Sequence, residues 1–322
     1  MPQLCRAAAL FAGLSLGVAQ AQEVVRLGNL KFAHYGAVSY IKEIAPKCGI
    51  KVEERIFAKG LDVMQGIIAG ELDVGTTASE AAISGRASGA PILVVAGFAK
   101  GGARLVSRAD LKLQSVKDLK GKRVGVTRGG IQEVLLLAEL QQAGLTSSDQ
   151  PGKDVQLIYL AFADLNQALL GKNIDVMMNS EPQSSQAINK GFGTEILKPY
   201  DTPIGEPIRT MVMTEKFYKE KRPLAEKFMR CFVEATKAFI EQPALAEKYV
   251  RETVFKGQIT KDDFEDAIGN SPYSYDITAE HIQITTDVMF KTGVGRMAKP
   301  PAAKEWVKTD LLEAAKKSVG VK

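Results

Sequence analysis

One order of segments occurs twice in this chain. The first copy runs from Arg26-Leu27-Gly28-Asn29 through Gly70-Glu71-Leu72-Asp73-Val74 to Ser79-Glu80, then Ala103-Arg104-Leu105-Val106-Ser107. The second runs from Arg123-Val124-Gly125-Val126 through Gly171-Lys172-Asn173-Ile174-Asp175-Val176 to Ser180-Glu181, then Ile208-Arg209-Thr210-Met211-Val212. Gly70 and Gly171, like Ser79 and Ser180, stand 101 positions apart. Each copy reads as strand, loop, helix, strand, helix, strand, which predicts two doubly wound α/β lobes rather than one sheet. Lobes of this kind present the carboxyl ends of their strands at one edge. Two such edges facing each other enclose a cleft suited to a small molecule.

The start of the chain carries Arg6, an apolar run from Ala7 to about Ala19, and the triplet Ala19-Gln20-Ala21. This is the pattern of a secretory signal peptide over residues 1–21. The run is too short for a membrane span, and Cys5 precedes it, so no lipid anchor is expected. Removing the segment takes the formal charge from 42 − 37 = +5 to 41 − 37 = +4. That surplus is spread along the chain without basic-aromatic clusters, which argues against nucleic acid as a partner. Cys48 and Cys231 remain in a compartment that permits disulfides, but two buried free thiols are the default expectation.

The expected layout is one lobe from residues 22–101 and 210–322, and a second from 102–209. Gly101-Gly102 is the first hinge and Pro203, Gly205 and Pro207 mark the return. Strands are expected near Val24–Asn29, Ile50–Phe57, Leu72–Gly75, Pro91–Ala96, Lys122–Thr127, Val155–Leu160 and Ile174–Met178, with Thr76-Thr77-Ala78-Ser79 opening a helix. Ser115 to Asp118 has the form of a capping box, Pro223 that of a first-turn proline, and Thr260 and Thr278 that of N-caps. The helical remainder, ending in an amphipathic helix over Glu305–Lys317, is expected to pack on the first lobe.

With these elements placed, the sequence resembles the substrate-binding proteins of ABC importers, in the nitrate, sulfonate and taurine group related to thiamine-pyrimidine binding proteins. The resemblance rests on Gly70 to Val74, the run Ser115 to Val126 with Asp118-Leu119-Lys120-Gly121-Lys122-Arg123-Val124 at its centre, Ala143-Gly144-Leu145, and Gly171 to Val176 followed by Glu181-Pro182. It implies a type II periplasmic-binding fold with two hinge strands, a secreted periplasmic monomer, closure on a solute, and delivery to a membrane permease. It does not name the solute: a small organic anion is the first expectation, a pyrimidine or thiamine precursor the alternative.

Candidate ligand residues follow from the expected cleft. Arg128, Gly129 and Gly130 precede Ile131 at a helix start, where N–H groups and the helix dipole favour an anion by about 0.3–1 kcal/mol. Thr76, Thr77 and Ser79 supply hydroxyls in the first lobe. Asn179 and Glu181 occupy the matching place in the second, and Glu181 suits a donor on the ligand. His34 and Tyr35 lie in the loop after the first strand, where a ring can stack on a flat ligand. Arg104 and Arg209, on the connecting strands, each suit either a cross-lobe salt bridge or a bound anion.

No catalytic residues, metal or cofactor are expected. The chain lacks the common nucleophile, zinc and phosphate-loop motifs, and holds two histidines, His34 and His281. The cysteine-rich segment of the pyrimidine-synthesising relatives is also missing. An enzyme built on the same scaffold remains the competing class.

Overall fold

A computed structural model describes residues 23–321; the segment expected to be a signal peptide, residues 1–21, lies outside them. The first four strands are β1 (Val24–Leu30), β2 (Lys51–Phe57), β3 (Val74–Ala78) and β4 (Ile92–Lys100). Helices α1 (Gly36–Ile44), α2 (Gly60–Ile68) and α3 (Ser79–Ala87) alternate with them. The chain then leaves this sheet through Gly101 and Gly102, both left-handed at φ 72° and 75°. Six strands follow: β5 (Ala103–Arg108), β6 (Arg123–Val126), β7 (Ser147–Ser148), β8 (Val155–Tyr159), β9 (Val176–Ser180) and β10 (Gly193–Leu197). They carry α4 (Ile131–Gln142), α5 (Leu165–Leu170) and α6 (Gln183–Asn189). Finally β11 (Ile208–Thr214) returns to the first sheet.

The sheets run in the orders β2-β1-β3-β11-β4 and β10-β5-β9-β6-β8-β7. Read from the other end, the second is β7-β8-β6-β9-β5-β10, so it repeats the first with one short strand added at its edge. In each, one strand comes from across the hinge and pairs antiparallel with both neighbours: β11 between β3 and β4, β5 between β9 and β10. The chain thus crosses between Leu197 and Ile208, slightly ahead of the expected boundary at residue 209.

The inserted strands also explain a shift in the elements. β3 and β9 extend to Ala78 and Ser180 because β11 and β5 hydrogen-bond to their carboxyl ends. Thr76 and Thr77 therefore sit on a strand, and the helix begins only at Ser79. The capping box at Ser115 is formed, and Thr260 and Thr278 each accept from a first-turn N–H.

After β11 the chain is helical: α7 (Glu215–Glu220), α8 (Arg222–Glu241), α9 (Pro243–Lys248), α10 (Lys261–Asn270), α11 (Ala279–Thr292), α12 (Ala303–Trp306) and α13 (Asp310–Val319). α8 buries Phe228 and Phe232 in the main core beside α1 and α13, and Phe239 in a second cluster with Ala37, Tyr249 and Tyr273. The single helix expected over Glu305–Lys317 is broken, because Val307 bridges to Val94 and the Lys308 N–H donates to the Val94 carbonyl at 2.8 Å. α10 departs from a purely first-lobe packing: it also rests on α6 of the second lobe.

The expectation of free thiols is overturned. Cys48 and Cys231 form a disulfide, with Cα atoms 6.2 Å apart, that ties the turn after α1 to the middle of α8. Neither position shows in sequence that α8 lies against that turn. Among the described residues no helix is long and apolar enough to cross a membrane.

Candidate functional site

The carboxyl ends of β1, β3 and β9, the turn after β8 and the starts of α2, α3 and α4 converge between the sheets on a cavity of about 20 Å³. That is room for about one water molecule. Its wall includes His34, Thr77, Glu80 and Arg209 from the first lobe and Ile131, Phe162 and Ser180 from the second. The cavity exists because small residues allow close approach. A Cβ on Gly60 at the head of α2 would lie 1.9 Å from Thr77 Oγ1.

Arg209 is the centre of the site. It is 1% exposed, since β11 runs between β3 and β4 and aims this side chain toward the hinge. Its Nη2 donates to the carbonyls of Gly101 at 2.7 Å and Gly102 at 3.2 Å. Left-handed Gly102 suits this contact, because a Cβ there would meet Nη2 at 3.0 Å. Arg209 Nε donates to His34 Nε2 at 3.1 Å. That bond assigns the His34 proton to Nδ1, as neutral imidazole has one donor and one acceptor nitrogen. Burial, and secondarily the neighbouring guanidinium, hold the His34 pKa well below its usual value, so the ring is neutral. Arg209 Nη1 and His34 Nδ1 remain buried without a hydrogen-bond partner, and so do Thr77 Oγ1 and Glu80 Oε2.

Glu80, in the first turn of α3, is 5% exposed. Burial pushes its pKa up to about 7, against the opposing pull of Arg209 and of the N–H groups of Glu80, Ile131 and Ala81. Those N–H groups favour the charged form, but none completes a hydrogen bond to Oε2. Ile131 begins α4 in the opposite lobe. The first-lobe carboxylate therefore faces the second lobe's helix terminus.

The other expected residues are distributed unevenly. Tyr35 lines the cavity beside His34, with ring centroids 4.9 Å apart. Ser79 is buried with an unpartnered hydroxyl but does not line it. Thr76 donates to Asn29 Oδ1 at 2.5 Å, within a polar network below the site. Gly129 and Gly130 line a neighbouring cavity with Glu80 and Phe162, although the Gly129 N–H already donates to Glu133. Arg128 rims that cavity, yet it is paired with Asp149 at 2.8 Å and lies over the Tyr159 ring at 3.7 Å. Asn179 Oδ1 accepts from the Ser180 N–H. Glu181 is enclosed by Arg104, Asn270 and Ser185. Arg104 adds ion pairs to Glu195 at 3.2 Å and to Asp266 of α10 at 2.9 Å. Of the three arginines considered, Arg209 alone lines the main cavity and keeps an unpartnered nitrogen there.

Sequence reasoning missed Glu80, Gln132 and Phe162. For Glu80 the available signal was the repeat itself: an arginine on each inserted strand, and a Ser-Glu pair, Ser79-Glu80 or Ser180-Glu181, where the strand beside it ends. Phe162 and Phe32, one per lobe, meet edge to face at 5.3 Å. Beyond them opens a groove of about 600 Å³, walled by Phe57, Leu170, Phe192 and Phe255 and edged by Lys31 and Lys190.

Comparison with known proteins gives a consistent placement. The family model described as NMT1/THI5 like matches residues 47–246. The Escherichia coli K12 protein named "Putative aliphatic sulfonates-binding protein" is 31% identical over 173 residues, 53% of this chain and 50% of its own length. The chain thus spans about half the length of that curated relative. The alkanesulfonate-binding protein SsuA of Xanthomonas axonopodis pv. citri, bound to MOPS, superposes with a TM-score of 0.74 over 89% of this chain and 98% of its own, at 17% identity. The periplasmic nitrate-binding protein NrtA of Synechocystis PCC 6803 superposes at 0.76 over 94% and 90%, at 16% identity. At such identities these two likenesses establish the fold, a periplasmic-binding-protein architecture.

Proposed function

Because the chain belongs to the NMT1/THI5-like family, we propose that it is the secreted, periplasmic solute-binding component of an ABC importer, taking a small organic anion such as a sulfonate or carboxylate. The observation that carries this reading is Arg209 Nη1, a buried cationic donor with no hydrogen-bond partner on a residue that lines the inter-lobe cavity, as His34 with its unpartnered Nδ1 also does. A buried guanidinium donor left unsatisfied is costly, and an anionic head supplies what it lacks. Sulfonate and nitrate binding by proteins of this fold supports the same class of ligand.

The cavity as it stands is too small for an organic solute, so entry requires the lobes to part about Gly101-Gly102 and the return crossing. A solute seated on the first lobe and covered by α4 and Phe162 favours the closed form by contacts absent from the open one. The protein then hands its solute unaltered to a membrane permease.

The test is calorimetric titration with ethanesulfonate, propanoate and nitrate, with mass spectrometry of the solute recovered afterwards. Binding that Arg209→Ala weakens, with recovered mass unchanged, is expected. Absence of binding to all three at pH 5.5, where the Glu80 carboxyl is protonated, refutes the anion reading; a chemically altered solute refutes the transport reading.

A further inference from the structure

Each half of the chain carries the same arginine-glutamate pair, and the two pairs have opposite fates. Arg104 on β5 stands opposite Asn179, two positions before Glu181; Arg209 on β11 stands opposite Ala78, two positions before Glu80. In the second lobe the carboxylate is saturated. Glu181 Oε1 meets Arg104 Nε at 2.8 Å and accepts from Asn270 Nδ2 at 2.8 Å, while Oε2 accepts from the Ser185 N–H at 3.1 Å and hydroxyl at 2.7 Å. In the first lobe the equivalent carboxylate lines the ligand cavity and its Oε2, fully buried, accepts from nothing. Backbone N–H groups of Glu80, Ala81 and Ile131 act on the Glu80 carboxylate, but side-chain donors like those at Glu181 are missing and Oε2 has no partner.

We propose that Glu80 determines specificity: the solute carries an N–H or O–H donor that meets Glu80 Oε2, beside an anionic head that meets Arg209 Nη1 and His34 Nδ1–H. The site therefore takes an amino- or hydroxy-substituted small organic acid in preference to the plain acid. This deepens the anion-binding reading and rests on it. A plain acid brings a second negative charge and no donor for Oε2, so the buried carboxylate stays unpaired unless Glu80 takes up a proton. The groups facing Glu80 do not blur this. Tyr35, raised above its usual range by burial, and His34, lowered below its own, stay neutral across the pH range of interest. Thr77 does not titrate, and the basic side chains beside Glu80 are Arg209 in the cavity and Lys59 and Arg128 on the adjoining rim.

The experiment compares matched probes by calorimetry on the full mature chain: 2-aminoethanesulfonate against ethanesulfonate, and 3-hydroxypropanoate against propanoate, at pH 5.5 and 8. In at least one pair the substituted acid should bind wild type about tenfold more tightly or better at pH 8. That ratio should shrink at pH 5.5, where Glu80 is protonated. Glu80→Gln, which keeps one acceptor oxygen but carries no charge, should hold it near that lower value at both pH values. Equal binding within both pairs, or a folded Glu80→Gln whose ratio at pH 8 matches that of wild type, overturns the inference but leaves the anion site standing. Binding of none of the four overturns both. Should Glu80→Gln fail to fold, the wild-type ratios at the two pH values decide.

Discussion

Replacing Glu80 by glutamine should change how stability depends on pH, without any ligand. The carboxyl is raised from 4.5 to about 7 by burial. An acid with a raised folded-state pKa binds more protons folded than unfolded between those values, so stability falls as pH rises through that window. At about 1.4 kcal/mol per pH unit, the full penalty is about 3 kcal/mol, complete above pH ~8 and absent below pH ~4. Glutamine has the shape of the protonated acid and cannot ionise, so Glu80→Gln should match wild type near pH 4.5 and exceed it by about 2–3 kcal/mol at pH 8. Urea denaturation at half-unit steps from pH 4.5 to 8.5 measures this, taking the difference between the two proteins so that every other carboxylate cancels. A difference that stays flat across the range would refute the claim that desolvation dominates at Glu80. A difference of opposite sign would mean that Arg209 stabilises the charged form.

Arg209→Ala should weaken ethanesulfonate binding by about 10–100-fold, the loss of a charge-assisted hydrogen bond in a buried site. Arg128→Ala should change it less than about twofold, because Arg128 is already held by Asp149 and Tyr159 at the rim; a larger effect from Arg128 in calorimetry would relocate the anion seat. Removing the disulfide by Cys48→Ala with Cys231→Ala opens a loop closed across a separation of 183 residues. Chain entropy sets the loss at up to about 5 kcal/mol, visible as a lower urea midpoint, and an unchanged midpoint would contradict it. Phe162→Ala removes the cross-lobe edge-to-face contact with Phe32, worth about 0.5–1.5 kcal/mol. The solution scattering radius should rise toward an open form, and an unchanged radius would exclude the pair as a latch.

The duplicated order of segments made the two-sheet plan readable, because it reflects periodicity and turn residues that act locally. What the sequence did not disclose depends on partners distant along the chain. Thr76 looks like a helix-opening hydroxyl until β11 inserts and lengthens β3, which turns Thr76 down to Asn29 and leaves Thr77 at the cavity. Glu181 and Glu80 are indistinguishable in sequence. Only Asn270 and Ser185, brought in by α10 and α6, mark the first as structural. The Cys48–Cys231 bond depends in the same way on α8 docking against the end of α1, which no local pattern announces. Arg104, Arg128 and Arg209 likewise stay equivalent candidates until their counter-ions are placed.

The placement of unsatisfied groups also assigns different tasks to the lobes. Among residues that line the cavity, the unpartnered atoms His34 Nδ1, Thr77 Oγ1, Glu80 Oε2 and Arg209 Nη1 all belong to the first lobe. The second contributes to the cavity wall the start of α4, the Phe162 ring and Ser180, whose hydroxyl already donates to the Gly102 carbonyl. A solute can thus satisfy the charged groups of the first lobe while the cleft is open, and the second lobe adds apolar cover and the dipole of α4 afterwards. Contacts made before closure set which solute is held, whereas contacts made only on closure set how far the equilibrium moves. Substitutions at Glu80 or Arg209 should therefore change the ranking of ligands. Those at Phe162 should weaken all ligands by a similar factor and leave the ranking intact, so a reordered ranking in Phe162→Ala would show that the second lobe selects as well as closes.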